Sequence, residues 1–527
     1  MKQLEVLIAE NRALQATLNR QKETIKKQKE EIDKLEKIQS WYIEQLKLRQ
    51  KEKFGKSSEQ LDENQMTLFD LFNEAEELRQ AIMPEPTDDI IVPSHKRKKK
   101  RGECYKNLPV ERIEYQLPED QLECGVCGEP LHVMTKEVRK ELKIIPAQVS
   151  VIEHVTYIYS CRNCETTGIE TPIVKADSPN ALIPKSLVSP SVLAHIMNQK
   201  YTLALPLYRQ EQEWQRLGVN LSRQNLSNWI IKGANLLKPL LDALKIELLN
   251  NKILHGDEST LEVLQEPGRE AHTKSYMWLY ATPKSAEHAV VLYDYQIGRS
   301  GTYAKQFLKD WDGSYFCCDG YVGYRKLEGI RLCGCYAHLR RYFHDAYKVA
   351  ECKQAKQCLD YLSELFAYER HADDETYTAG QRLQMRKEKY PEILGKFYKY
   401  LEELSGKTLP KSLLGKAIGY AQNQKETFYT MLDDGNIELT NSRAERFIKM
   451  FVIGRKNFLF SNTPNGARSS ASIYSVIQTA IANHLKPTQY LQYVFEKIQE
   501  YPEIDVQLLL PWAQSIPESC KNPNTSS

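Results

Sequence analysis

The stretch ILHGDEST, residues 253–260, decides the reading of this chain. A short apolar, β-prone start (Ile253-Leu254) runs into the acidic pair Asp257-Glu258, the pattern of a strand that ends in a carboxylate. The pattern recurs in YFCCDGYVGY, residues 315–324, where Tyr315-Phe316-Cys317-Cys318 leads to Asp319. A third acid, Glu445, lies in LTNSRAERFIKMF, residues 439–451, within a predicted helix. Two strand-end aspartates and a helical glutamate can converge on one site and hold two divalent cations. Hard cations such as Mg²⁺ prefer carboxylate oxygen, and phosphodiester chemistry uses them to stabilise the attacking and leaving oxygens. With 69 acidic residues in the chain, such a triple is weak alone, and its local settings carry the weight.

Working outward, residues 253 to 345 have strand periodicity. Tyr276–Ala281 and Ala289–Tyr293 follow Asp257, and Tyr303–Leu308 is a plausible crossover helix. Asp319 then ends another strand, and Ile330–Tyr336 is predicted as a further one. Three strands, a helix and a strand ending in aspartate is the order expected of an RNase H-like α/β sheet. By strand alternation Glu258 points away from the site. Residues from 346 to about 430 are helical and charged, as an insertion would be, and the long interval between Asp319 and Glu445 accommodates them.

Before this core, Ser189-Pro190 is a helix start signal. The segment Tyr208–Trp229 has helix-turn-helix spacing, with one helix ending near Leu217-Gly218 and Ser222 capping the next. Arg223, Gln224 and Asn228 then suit base edges and phosphates. By pattern alone an ordinary helical hairpin, with Leu221, Leu226 and Trp229 simply packing, serves equally well.

Further upstream, Cys124-Gly-Val-Cys127 and Cys161-Arg-Asn-Cys164 provide four thiolates, the ligand set of a closed structural zinc site. The gap between them alternates at Val149, Val151, Val155, Tyr157 and Tyr159, which predicts a strand in a zinc ribbon-like module. A redox pair is the rival reading. Cys335 and His338 also have metal-ligand spacing, with Cys317, Cys318 and Cys333 nearby, but buried thiols in adjacent strands are the better reading there.

Residues 1 to about 52 lack proline and glycine and carry a heptad repeat. Its a positions are Leu4, Asn11, Leu18, Ile25, Ile32, Gln39 and Leu46, and its d positions are Leu7, Leu14, Gln21, Gln28, Leu35, Tyr42 and Arg49, so the seam is polar and weak in the middle. The pattern predicts a parallel coiled-coil homodimer, with Asn11 setting the register; a single solvated helix is the alternative. The basic run Lys96–Arg101, including Lys98, Lys99 and Lys100, either binds polyanions or stays solvated.

At 527 residues several domains are expected, and a net charge of +3 alone says nothing about nucleic acid. No secretory signal or bilayer-length apolar stretch is apparent, and 12 cysteines without such a signal suggest a reducing, cytoplasmic setting. The predicted organisation is multidomain α+β. It comprises a coiled-coil arm (1–52), a linker with the basic run (53–103), a zinc module (104–178) and a helical DNA-binding region (185–250). The catalytic core (251–345 and 433–500) follows, interrupted by a helical insertion (346–432), and a tail (501–527) ends the chain.

With these residues in place, the chain resembles the transposases of the insertion-sequence-66 family of bacterial mobile elements over nearly its whole length. The resemblance rests on the zipper arm, Phe54-Gly-Lys-Ser-Ser-Glu, the four-cysteine module and Lys200-Tyr…Leu205-Pro-Leu-Tyr-Arg209. It continues through Asp257-Glu-Ser, Asp319-Gly-Tyr, Cys335-Tyr-Ala-His338-Leu-Arg-Arg341 and Ala444-Glu-Arg…Gly454-Arg-Lys-Asn-Phe-Leu-Phe460. Thr440-Asn441-Ser442 stands where family members often carry Asp-Asn-Asn.

The resemblance implies a DDE transposase acting on double-stranded DNA in the bacterial cytoplasm, at the nucleoid. Asp257, Asp319 and Glu445 would bind two Mg²⁺ (or Mn²⁺), and Cys124, Cys127, Cys161 and Cys164 one structural Zn²⁺. Arg340 and Arg341, with His338, would orient phosphate, and Arg455 and Lys456 would contact the DNA backbone. Small accessory proteins of the same element are implied partners. Taken singly, Asp257 and Asp319 read as turn residues and Glu445 as a solvated partner of Arg446. A catalytically inactive DNA-binding relative and a general nuclease are the competing functions.

Overall fold

Strand β3 (Ile253–Glu262) is the axis of the protein's five-stranded sheet. On one side it pairs antiparallel with β4 (Lys274–Ala281), which pairs antiparallel with β5 (Val291–Gln296). On the other side β6 (Tyr315–Cys318) and then β7 (Arg331–Gly334) add in parallel, giving the order β5-β4-β3-β6-β7. A short helix, α6 (Gly301–Phe307), makes the crossover between β5 and β6. This is a computed structural model describing residues 2–54, 149–160, 173–175, 179–350 and 352–523. Cys124, Cys127, Cys161, Cys164 and the basic run with Lys98, Lys99 and Lys100 lie outside the described residues.

The sheet has a core on each face because strand side chains alternate. Leu254, Phe316 and Cys318 enter one hydrophobic cluster, and Ile253, Cys317 and Cys333 enter the other. The first cluster is closed by helices α2 (Pro190–Tyr201), α4 (Arg223–Leu236), α5 (Lys238–Leu249), α12 (Ser442–Phe458), α13 (Pro464–Ala482) and α14 (Pro487–Glu500). Helix α2 starts where the sequence places it, with Ser189 Oγ accepting from the Val192 N–H at 3.3 Å. Helix α13 protects the outer edge of β5. Thr479 Oγ1 accepts from the Val291 N–H at 3.0 Å, and Ser475 Oγ from the Tyr293 N–H at 2.8 Å. Hydroxyls thus replace the missing neighbour of an edge strand.

The second cluster belongs to the helical insertion. Helices α7 (Tyr336–Ala350), α8 (Lys353–Asp374), α9 (Ala379–Ser405), α10 (Leu413–Asn423) and α11 (Lys425–Tyr429) pack Leu362, Leu365, Phe397 and Leu401 beneath Cys317 and Cys333. Inside it Glu369, 8% exposed, accepts from Arg386 at 2.7 Å and from Tyr390 at 2.7 Å. The buried charge is therefore paired and hydrogen-bonded. Helix α1 (Lys2–Phe54) joins this unit at its C-terminal part, packing on α7. Its buried Glu44 accepts the Leu413 N–H at 2.7 Å, capping the start of α10.

The chain divides into two compact units, one holding α1 and the residues from Asn180 to Asn522. In the other, β1 (Ile158–Ser160) pairs antiparallel with β2 (Ile173–Lys175). Here the structure corrects the sequence reading. The alternating run from Val149 predicts a long strand, yet regular structure begins only at Ile158. Val149, Val151, Val155 and Tyr157 are all exposed, so their alternation has no packed face to specify. The expected strand over Ile330–Tyr336 is also shorter, ending at Gly334, because Tyr336 already opens α7.

Gly256 sits where no side chain fits: a Cβ there would lie 2.1 Å from Cζ of the buried Phe316. Gly256→Ala is expected to lower stability by about 1–3 kcal/mol through overpacking. Chemical denaturation reads this directly, and an unchanged midpoint would mean that Phe316 moves aside at no cost.

Candidate active site

Parity along the strands brings the predicted acids together. Ile253, His255 and Asp257 share one face of β3, and Cys317 and Asp319 share that face on β6. His255 pairs with Cys317, so Asp257 and Asp319 each lie one pleat beyond the last paired residues of the two parallel strands. The structure corrects the expectation that the first strand ends at its aspartate: β3 continues to Glu262 along β4, so Asp257 lies mid-strand beside the point where β6 ends, and only Asp319 stands at a strand end. Cys335 takes the equivalent place after β7, since Cys317 pairs with Cys333. Glu445 reaches the same spot from the first turn of α12. Its Oε1 lies 3.3 Å from His338 Nδ1 and 4.0 Å from Cys335 Sγ, and its Oε2 lies 3.6 Å from Arg341.

The carboxylates feel one another. Burial pushes the Asp257 carboxyl well above the usual carboxylate range, and the negative charges of Glu258, Asp319 and Glu445 push it further. The Glu258 backbone N–H, donating to Asp257 Oδ1 at 2.8 Å, only partly opposes this. Such an oxygen-rich, mutually repelling set fits hard divalent cations by the chemistry of its donors.

Each acid is held in place. Asp319 Oδ1 accepts the Tyr321 N–H at 2.9 Å across a turn whose Gly320 has φ +90°, a conformation that favours glycine. The insertion grips this turn from outside: Tyr420 Oη donates to Asp319 O at 2.7 Å and Gln424 Nε2 to Gly320 O at 3.0 Å. Asn441, 1% exposed, precedes α12 and locks it to β3. Its Nδ2 donates to Gly256 O at 2.8 Å, which leaves Oδ1 for the Nδ1–H of His255 at 2.9 Å. The Asn441 N–H completes the clamp by donating to Cys335 Sγ at 3.1 Å.

Glu258 turns away from the acids, as alternation requires. Its side chain, 1% exposed, pairs with Arg299 at 2.6 Å and accepts from Tyr324 Oη at 2.6 Å. The Arg299 guanidinium lies 4.1 Å from the centre of the Tyr321 ring. Sequence reasoning missed Arg299, Tyr420 and Gln424. Asn441 was visible in Thr440-Asn441-Ser442, but its partners were not.

Of the predicted DNA contacts, Arg223, Gln224 and Asn228 lie exposed on α4, while Leu226 and Trp229 are buried beneath them. Ser222 Oγ caps α4 through the Asn225 N–H at 3.3 Å. A turn at Gly218 (φ +82°) separates it from α3 (Leu207–Arg216). His338, Arg340 and Arg341 lie on the first turns of α7, and of the three His338 and Arg341 are the ones that approach Glu445. Arg455 is placed differently from expectation. It is half-buried, and its guanidinium bonds Thr260 Oγ1 at 2.6 Å and Ser259 Oγ at 3.3 Å, tying α12 to β3, while Lys456 is exposed.

A family model described as "Transposase IS66 family" matches residues 185–469, more than half of the chain. The "zinc-finger binding domain of transposase IS66" matches residues 121–165, a span that includes all four knuckle cysteines. The "IS66 C-terminal element" matches residues 475–512, and a model described as "Transposase C of IS166 homeodomain" matches residues 41–113. Curated relatives include two uncharacterized proteins of Sinorhizobium fredii. One, y4qI, is 30% identical over 76% of this chain and 75% of its own length. The other, y4jD, is 29% identical over 77% of this chain and 80% of its own.

Two outcomes follow from the geometry. Replacing Asn441 by alanine leaves Gly256 O and the buried His255 without their partner, and is expected to lower stability by about 1–3 kcal/mol in denaturant unfolding. The second concerns pH. Because the folded Asp257 value is raised, the stability linked to its proton is complete below the ordinary value of about 3.9 and is lost as pH rises through the raised value. In chelator, wild type should therefore melt progressively lower than Asp257→Asn as pH rises through that window. Saturating Mg²⁺ should close the gap, and parallel melting curves at every pH would contradict the carboxylate crowding.

Proposed function

Because the chain belongs to the IS66 transposase family, we propose that it binds the ends of its insertion sequence and cuts and joins DNA strands through Asp257, Asp319 and Glu445. The observation that carries this reading is the crowding of Asp257, within β3, by Asp319 and Glu445 beside the point where the parallel strand β6 ends. The sheet order, three antiparallel strands followed by two parallel ones, supports an RNase H-like catalytic core. Two Mg²⁺ or Mn²⁺ ions, when bound, would stabilise the attacking and leaving oxygens of an in-line displacement at phosphorus.

The chain's own residues supply the rest. Asp257, Asp319 and Glu445 provide the carboxylate oxygens. Asn441, Tyr420 and Gln424 hold those groups in register. His338, Arg340 and Arg341 face the phosphate of the bound strand. The α3–α4 pair reads the element ends through Arg223, Gln224 and Asn228. Lys98, Lys99, Lys100 and Lys456 add sequence-independent affinity for the backbone. Arg455 acts on DNA indirectly, by fixing α12.

Cys124, Cys127, Cys161 and Cys164 would hold one structural Zn²⁺ within the matched zinc-finger span. Along α1, the predicted seam residues Leu14, Leu18, Ile25, Ile32, Leu35 and Leu46 are each at least half exposed, which supports a parallel coiled-coil homodimer. Small proteins of the same element would assist, and the DNA substrate places the working protein at the nucleoid.

The test is divalent-cation-dependent cleavage of DNA carrying the ends of the encoding element. Wild type should cut at the ends. Asp257→Asn, Asp319→Asn and Glu445→Gln should each lose more than the roughly 10–100-fold that an outer-shell partner costs, with end binding retained. Specific binding without cleavage by wild type, even with the neighbouring gene products added, would instead favour an inactive DNA-binding relative. Loss of binding together with cleavage in the variants would make the acids structural.

A further inference from the structure

Three ligand atoms of different character meet at the start of α7. Cys335 Sγ, His338 Nδ1 and a Glu445 oxygen lie within 4.8 Å of one another. Cys335 is buried just before the first residue of α7, so the first N–H groups of that helix face it. Its sulfur also accepts the Asn441 N–H at 3.1 Å. Burial and the Glu445 carboxylate outweigh these backbone donors and push the Cys335 thiol up to about 12, so a metal ion would have to displace its proton. His338 stands one turn further along the same helix, and its Nδ1 is hidden from solvent without a hydrogen-bond partner. Only 3.3 Å separates that nitrogen from Glu445 Oε1. A ring nitrogen hidden from solvent and close to a carboxylate, without a hydrogen bond between them, has a lone pair suited to a metal ion.

We infer that Cys335, His338 and Glu445 form a binding site for a borderline-soft divalent cation of the zinc class, one that takes Glu445 away from Asp257 and Asp319. Thiolate, imidazole and carboxylate together suit zinc and poorly suit magnesium, which demands oxygen ligands in octahedral array. Metal–ligand distances of roughly 2.0–2.3 Å would draw the three atoms together around one ion and leave a fourth position for water. Binding sends the thiol proton to solvent, and the ion neutralises the charge that Glu445 and the sulfur would otherwise share. Glu445 cannot serve both sites at once, so occupancy here would switch off the chemistry proposed above. That inhibitory half rests on the proposed function, whereas the binding half does not.

The test uses Cd²⁺ as probe on the full-length chain, reading sulfur-to-cadmium charge-transfer absorbance. Cysteines of the zinc module contribute equally to wild type and variant and cancel in the difference. Wild type should show a saturable band that Cys335→Ser lacks. His338→Asn should keep the band but weaken binding by at least the roughly tenfold that loss of an outer-shell partner causes. Should Cys335→Ser fail to fold, as judged by its melting, His338→Asn decides the matter alone. Identical titrations of wild type and the folded variants would overturn the site.

The inhibitory half is read in Mg²⁺-dependent end cleavage. Half-inhibition by Cd²⁺ or Zn²⁺ should move to at least roughly tenfold higher concentration in His338→Asn relative to its own uninhibited rate. Cadmium binding at Cys335 with equal inhibition of wild type and variant would overturn the sharing of Glu445. Absence of cleavage under any condition would count against the proposed function, while the absorbance titration would still decide the site.

Discussion

The site depends on one buried amide. Asn441 satisfies the carbonyl of Gly256, the ring of His255 and the sulfur of Cys335 from a single residue, joining three segments far apart in the chain. Buried polar groups are expensive to leave unpaired, so these contacts fix one arrangement and penalise others. Asp257 follows Gly256 directly, and Glu445 stands one helical turn beyond Asn441. Close placement of two acids that repel is thereby imposed by neighbours that do not ionise. Arg455 adds a second tie further along, between α12 and the far part of β3.

Among the described residues, nearby cations relieve the repulsion among the acids only in part, since Arg299 attracts Asp319 from a distance while bound elsewhere. Arg299 is engaged with Glu258, on the other face of β3, and Arg341 approaches Glu445. Asp257 has a backbone N–H and no basic side chain among its hydrogen-bond partners. A structure that leaves like charges crowded, yet surrounds them with rigid supports, stores local instability that a counter-ion can release. The support comes from both faces of the sheet: β3 packs Leu254 into one core and Ile253 into the other, so neither the strand nor the acid within it has room to shift.

Local signals made much of this legible. Apolar runs leading to acids marked β3 and β6, although β3 runs on past its aspartate to Glu262; Ser189-Pro190 and Ser222 marked the helix starts, and Gly218 marked the turn between α3 and α4. Alternation also placed Glu258 away from Asp257. What the sequence did not yield were contacts across long separations, such as Tyr420 on Asp319 or Asn441 on Gly256, because nothing local encodes a partner a hundred residues away. The alternating stretch before Ile158 misled for the converse reason: its pattern is local, but the exposed side chains find no face to pack upon. Arg455 was expected on the DNA backbone, and only packing revealed its bond to Thr260. Cys335 and His338 gave the right spacing, yet their meeting with Glu445 required the fold.

Helix α10 touches two distant parts of the molecule. Its first N–H is capped by Glu44 of the long N-terminal helix, and Tyr420 near its other end holds the carbonyl of Asp319. A helix this short moves as a rigid rod of roughly 1.5 Å per residue, with little capacity to absorb strain along its length. Arm and aspartate are therefore opposite ends of one lever. The arm and the turn that carries the second carboxylate thus share one rigid support.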